Sequence, residues 1–418
     1  MQLRNHSRLG SAPPSTVIAA GSAASQIVDA TRGKKVTLIA SSFHSLVVTE
    51  DGTLLGAGFD AQQQVSGIVR AAEGKKITAV AVGDYYSLAV TDDGTLLGAG
   101  KDDKQQVSKI LEAAAGKKIT SVAAGLGNSL AVTDDGTLLV GGDDNWRLLS
   151  GLVKAAEGQK ITAVALGQYH SLAVTEDGTL LAAGLDGSRQ VTGIVNAAAG
   201  KKITAVSGGG SHSLAVTEDG TLLAAGNDSS GQVSGILEAA DGKKITAVAA
   251  GTAHSLAVTE DGTLLAVGYD SGGQVSGILE AAEGKKATAV AAGSGSSMVL
   301  VLERGGDCGP MKPRQICASL LASTDSPDTY AVSFKVGDNQ QVLNSGEPCK
   351  VVDTQDTEVT HLIVRRLSPP QDIAVGSAYF TYNHDSGAVD IDQDKSQLPD
   401  GLTYQHSDNN RFTFTWAH

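Results

Sequence analysis

The dipeptide Asp-Gly recurs at Asp51-Gly52, Asp93-Gly94, Asp135-Gly136, Asp177-Gly178, Asp219-Gly220 and Asp261-Gly262, each time 42 residues apart. The blocks around it are nearly identical, as in KKITAVAAGTAHSLAVTEDGTLLAVGYDSGGQVSGILEAAEG. A fixed period of this length confines a chain to a stack or ring of repeats, because one unit cannot bury its apolar face alone. Each block holds three short apolar runs, ITAVAAG, HSLAVT and TLLAAG, punctuated by Gly and by Asp-Gly, a strong hairpin signal. Short runs rich in Thr, Val and Leu favour strands over helices. A weaker fourth run, QVSGIL, follows, and the ILEAAEGKK connection leaves room for a helical turn. The unit reads as a three- to four-stranded antiparallel blade.

Counting blades predicts how the ring closes. Strands of the ITAVAAG kind start at Val36, Ile77, Ile119, Ile161, Ile203, Ile245 and Ala287, seven in all. The seventh block ends before any TLLAAG-like strand, and the missing piece stands at the other end of the chain as Thr16-Val17-Ile18-Ala19-Ala20-Gly21. N-terminal strands completing the last blade remove the exposed edges of an open array. The expected fold is all-β: a seven-bladed β-propeller at 16–306, after a tail at 1–15, followed by a small antiparallel β-sandwich at 307–418.

Composition narrows the function. The 418 residues carry a formal charge of −13, which argues against nucleic acid or an anionic membrane as the main partner. No apolar run approaches the roughly 18 residues of a membrane span, so no membrane insertion is expected. Met1 to Ala20 has no continuous apolar segment of the secretory kind. The location is not named by these residues; the cytoplasm or a place in an assembled particle is the expectation. Cys308, Cys317 and Cys349 form neither a CxxC pair nor an even framework. No GxSxG, HExxH or P-loop motif occurs, so neither catalytic residues, metal nor cofactor is expected.

The block GxxHSLAVTEDGTLLAAGxDxxGQV resembles the repeat of the regulator of chromosome condensation family, most clearly at Gly251–Gly262 with Gln274 and at Gly167–Gly178. The resemblance spans Thr16 to Gly306. Its spacing is similar to that of the bacterial seven-bladed β-lactamase inhibitor proteins of this superfamily. The GH…WD signature of WD repeats is lacking. One departure is consistent: where the family has Trp-Gly, this chain has Ala57-Gly58, Ala99-Gly100, Ala183-Gly184 and Ala225-Gly226. That implies tighter, more aliphatic packing. Guanine-nucleotide exchange, the family's founding activity, uses a wedge-like insertion for which the uniform spacing leaves no room, and the basic tail is absent. Light sensing by clustered tryptophans is excluded, since Trp146 is the only Trp of the repeats.

His44, His170, His212 and His254 share one repeat position with Tyr86, Asn128 and Ser296. A ring of metal-binding histidines is the sharp reading; an imidazole bonded to the adjacent blade's backbone is the bland one, which the Tyr, Asn and Ser replacements favour. The Asp-Gly aspartates read as turn residues.

Successive turns of an up-and-down blade alternate between two faces. The Asp-Gly turns scarcely vary, whereas the opposite turns differ strongly and hold nearly every aromatic residue of the repeats. Aromatic and Arg side chains gathered on one exposed face have the composition of a protein-binding hot spot. The expected partner-binding residues are Phe43, Phe59, Asp84, Tyr85, Tyr86, Trp146, Arg147, Gln168, Tyr169 and Tyr269. The inhibitor proteins it resembles bind through the same face.

From Asp307 the repeat gives way to seven short alternating runs with frequent turns, the pattern of a β-sandwich. Its charge is acidic, with 15 Asp and Glu against 8 Lys and Arg. Asp390-x-Asp392-x-Asp394 has calcium-like spacing, but Lys395 stands where the loop needs Gly. This stretch resembles no known family in its motifs. The leading function is a non-enzymatic binding protein that captures a protein or glycan through the variable face, with the C-terminal domain as anchor or oligomerisation module. Its alternatives are a structural component of a virion or other large particle, and a regulator of an enzyme.

Overall fold

The computed structural model describes residues 15–21 and 24–302, and nine strands between residues 315 and 416. Two compact units emerge, Met1–Leu302 and Glu303–His418. In the first, each block forms three antiparallel strands and a helix; in the second block these are Ile77–Val82, Tyr86–Thr91, Leu96–Gly100 and Ser108–Ala114. Seven such three-stranded sheets follow one another, as in a propeller of about seven blades. The last combines Lys286–Ala292 and Ser296–Leu302 with Ser15–Gly21, whose register runs from Ser15 opposite Leu302 to Gly21 opposite Ser296. A bond of 2.8 Å between the Ser41 and Ser296 hydroxyls joins the first sheet to the last.

The middle strand of each blade, such as His170–Thr175, is buried on both faces. Leu130 and Val132 of the third blade meet Val164 and Leu166 of the fourth, with Leu148, Leu149 and Leu152 of the intervening helix Leu148–Ala155. Among the described residues every apolar cluster spans two successive blades in this way, so none of these blades has a complete core of its own.

The QVSGIL run leads into a helix that begins at its Ser or Thr, not a fourth strand. Val107, Ile110 and Ala114 are buried along Ser108–Ala114, at spacings of three and four. That period puts all three on one helical face. Its approach also explains the Ala-for-Trp departure. A Cβ on Gly67 of the helix Ser66–Ala71 would lie 3.1 Å from Cβ of Ala99 in the next blade, and Gly151 stands the same 3.1 Å from Ala183. Helix Gly and strand Ala are matched small residues that let helix and neighbouring blade touch.

The Asp-Gly turns are structural. Gly52, at φ +85°, accepts a hydrogen bond on its carbonyl from the Ile77 amide of the following blade at 2.9 Å, and Asp51 accepts from the Thr49 hydroxyl and the Thr53 amide. The equivalent donors of later turns, Thr91 and Thr95, Thr133 and Thr137, and Thr217 and Thr221, hold the carboxyls of Asp93, Asp135 and Asp219 down at about 2. Lys35–Glu50 and Lys244–Glu260 pairs at 3.7 and 3.9 Å flank this face. The uniformity of this face is therefore a stitching requirement between blades.

The C-terminal unit contains a four-stranded and a five-stranded sheet. It is not wholly antiparallel, because Gln315–Leu321 runs parallel to Arg411–Trp416, with Cys317 opposite Arg411. Cys308, Cys349 and the Asp390–Asp394 side chains lie outside the described residues.

Candidate functional site

The two sets of variable turns share one face in every blade. The Lys101 amide donates to the Tyr85 carbonyl at 2.9 Å, the Leu185 amide to that of Tyr169 at 2.9 Å and the Tyr269 amide to that of Ala253 at 2.9 Å. In the first blade the amide of Phe59 reaches the Phe43 carbonyl at 3.4 Å. The turn there is one residue shorter: the Ser42 amide bonds the His44 carbonyl, whereas elsewhere the corresponding bond runs from Gly83 to Tyr86.

Phe43, Phe59 and Tyr85 come together. The Phe43 and Tyr85 rings stack with centroids 5.6 Å apart at 21°, and Phe59 meets Tyr85 edge-on at 5.9 Å and 72°. Lys101 sits 5.6 Å above the Tyr85 ring and pairs with Asp103 at 3.1 Å. Phe43 and Phe59 remain 43% and 46% exposed, an apolar area that folding leaves in water. Trp146, Arg147 and Tyr269 are exposed on the same face but outside this trio, and Tyr169 and Gln168 are half-buried. Trp146 and Arg147 both have positive φ, 62° and 57°, so the loop that presents them is held in an unfavourable conformation for side chains of this size.

Tyr86 is not a surface residue. It is fully buried at the histidine position of the repeat, where its hydroxyl donates to the Asn128 carbonyl at 2.5 Å and accepts from the Gly125 amide at 3.1 Å. The histidines do the same work: Nε2 of His44, His170, His212 and His254 bonds the hydroxyls of Ser87, Ser213, Ser255 and Ser297 at 2.7–3.1 Å. The partner on the adjacent blade is a serine side chain, where a backbone group was expected. Burial holds His44, His170 and His254 at about 4, and burial plus the flanking His170 and His254 holds His212 at about 3. Among the described residues no group of three or more His, Cys, Asp and Glu is placed to hold a metal ion.

At the propeller axis the variable face opens into a shallow mouth lined by the first turn of all seven blades. Most of that lining is Gly, Ala and Ser, and Asp84 is its only ionisable side chain. Burial pushes the Asp84 carboxyl up from its ordinary value, partly offset by the Ser42 hydroxyl donating at 3.2 Å. The expected residues thus fall into an aromatic trio, a carboxylate at the axis and dispersed rim positions. Lys101 and the exposed Leu126 belong to the same surface and were not among those expected. Lys101 occupies the repeat position of Phe59 and Tyr269, a signal available in the sequence.

Models of known families match two parts of the chain. The regulator of chromosome condensation repeat matches residues 77–106, 161–190, 203–232 and 245–274. A family described as membrane binding matches residues 319–417. No curated protein matches the chain in sequence. Among solved structures, Prp20p of Saccharomyces cerevisiae is similar at a TM-score of 0.57 and 17% identity, covering 70% of this chain and 92% of its own. Human WBSCR16 is similar at 0.52 and 18%, covering 64% and 87%. Among the described residues no helix is long and apolar enough to cross a membrane, which says nothing about strands. The repeat matches, the period and the shared fold lead to one conclusion: four of the chain's blocks are repeats of the regulator of chromosome condensation type, on a fold similar to that of Prp20p and WBSCR16.

Proposed function

We propose that the protein is a non-enzymatic recognition protein, whose variable propeller face captures a protein partner while its C-terminal unit holds the complex at a membrane surface. In this reading the seven sheets form a closed ring sealed by the N-terminal strand, and the two C-terminal sheets stack as a sandwich. The aromatic trio carries the first half: Phe43, Phe59 and Tyr85 converge from two blades and stay partly in water. The contrast between the two faces is weaker support, since the Asp-Gly face is uniform for structural reasons. A protein partner agrees with Prp20p, whose structure is described with its binding to Gsp1p and histones and which was also solved with Kap60.

Replacing Phe43 and Tyr85 together by Ala should reduce retention of the partner on immobilised protein by roughly 30-fold or more, as for paired hot-spot aromatics. The melting temperature should stay nearly unchanged, because Phe43 is largely exposed and Tyr85 half-exposed. Retention equal to that of the unaltered chain would refute this role for the trio.

The membrane half rests on the match over residues 319–417. An acidic unit, with 15 Asp and Glu against 8 Lys and Arg from residue 307 on, is repelled by anionic lipid. Attachment must then come from apolar and aromatic contacts with zwitterionic bilayers. The full chain should float with phosphatidylcholine vesicles in a salt-insensitive way, gaining hydrogen-exchange protection within 319–417 and not within 36–302. Failure to float, or protection confined to the propeller, would contradict the assignment.

A further inference from the structure

We infer that the axial mouth of the variable face is a cation-recognition pocket, in which the Asp84 carboxylate takes a lysine or arginine side chain from a partner loop whose apolar neighbour lies on Phe43, Phe59 and Tyr85. The inference rests on the recognition reading above and supplies the partner's chemistry.

Three observations carry it. First, Asp84 is the only ionisable group among the residues lining the mouth, which come from all seven blades. Its one hydrogen-bond partner among the described residues is the Ser42 hydroxyl at 3.2 Å, so most of the carboxylate's acceptor capacity is unused. A half-buried carboxylate without a cation is costly, and burial does push its proton affinity up. The nearest way to relieve that cost is an incoming ammonium or guanidinium group.

Second, pocket and platform are continuous along the chain. Ser42, which bonds Asp84, precedes Phe43, and Asp84 precedes Tyr85, whose ring stacks on that of Phe43. A dipeptide of one basic and one apolar residue therefore finds both of its sites within neighbouring turns.

Third, the face is acidic as a whole. The variable turns, meaning residue pairs 42–43 to 294–295 and loops 59–63 to 269–273, hold nine Asp against four Lys and Arg. On the opposite face the Asp-Gly turns 50–51 to 260–261 and the connections 73–76 to 283–286 hold sixteen carboxylates against thirteen lysines from Lys34 to Lys286, a smaller relative excess. Lys101–Asp103 and Lys104–Asp143 pairs offset part of the variable face's charge, and the excess of five carboxylates that remains on its turns attracts a basic partner.

The test uses the full chain and two peptides, Ac-Phe-Arg-Gly-amide and its neutral isostere with citrulline in place of Arg, titrated calorimetrically. The arginine peptide should bind about tenfold more tightly, the equivalent of about 1.4 kcal/mol for one charge-assisted contact. Asp84→Asn should erase that difference. Equal binding of the two peptides, or discrimination that survives Asp84→Asn, overturns the inference. If both peptides bind equally and both are lost in the Phe43→Ala/Tyr85→Ala variant, the recognition face stands without its cation pocket. If neither binds, or the aromatic variant changes nothing, pocket and platform fall together.

Discussion

Between pH 6.5 and pH 4 the propeller should lose most of its stability. His44, His170 and His254 titrate at about 4 in the folded chain and His212 at about 3, against an ordinary 6.5. Burial lowers the folded value, so below pH 6.5 the unfolded chain binds more protons than the folded one. The stabilising contribution is therefore complete above pH 6.5 and drains away as the pH falls toward 4. Each imidazole accounts for a few kcal/mol by pH 4.5, at about 1.4 kcal/mol per pKa unit. Four such groups approach the roughly 5–15 kcal/mol that stabilises an ordinary domain. The structural cause is plain: Nε2 is committed to a serine of the next blade, and Nδ1 has no partner to stabilise a second proton. The Asp-Gly carboxyls act in a separate window, because their lowered values cost stability only below about pH 4. Urea midpoints at pH 7 and pH 4.5 measure the effect. Asn, which the third blade already carries as Asn128, replacing all four histidines should flatten the profile. An unaltered chain with equal midpoints at the two pH values would contradict this account of the histidines.

Gly209→Val should destabilise the propeller by about 3 kcal/mol, the upper range for overpacking a close-packed interior. A Cβ there would stand 2.3 Å from Cε1 of His212 and 2.6 Å from the Gly251 carbonyl of the next blade. Neither can yield, since the ring is held by Ser255 and the carbonyl accepts the Gly210 amide at 3.2 Å. Gly167 and Gly251 face the same two obstacles, at 2.2 Å from the ring and 2.5–2.7 Å from a carbonyl. Gly187 is the control, since nothing lies within 4 Å of its Cβ position and its φ is not positive. Gly187→Val should leave the melting temperature within about 1 °C, whereas Gly209→Val should lower it by roughly 6–10 °C. Equal melting points for the two variants would show that the glycine ring is not needed for the approach of successive blades.

Much of this architecture is legible in the residues. The 42-residue period, the Asp-Gly hairpins and the displaced strand at Thr16–Gly21 are written in local backbone chemistry, and such signals survive without tertiary knowledge. The QVSGIL run defeated the same logic because four to six apolar residues are ambiguous between strand and helix. Its spacing of Val107, Ile110 and Ala114 held the helical signal, visible only once Gln106 is seen as a buried loop residue rather than the start of a strand. Tyr86 reads as a surface aromatic in the turn pattern although it occupies the position of His44 and His170; a residue that replaces a buried histidine inherits its burial. The Phe43–Phe59–Tyr85 contact was beyond sequence, because it depends on the angle between two blades. The shortened first turn, with 41 residues from Val36 to Ile77 where later blades have 42, was countable and helps to place Phe43 against Tyr85.

The recognition face itself is tested most directly by placing a photo-crosslinking p-benzoylphenylalanine at Phe59 on the variable face or at Glu50 on the Asp-Gly face. Both positions are exposed, so accessibility does not favour either. Irradiation in extract of the native source should give a discrete adduct from position 59, lost when Phe43 and Tyr85 are also replaced by Ala, and none from position 50. Adducts of equal yield from both positions, or from position 50 alone, would contradict the claim that this protein meets its partner through the variable face.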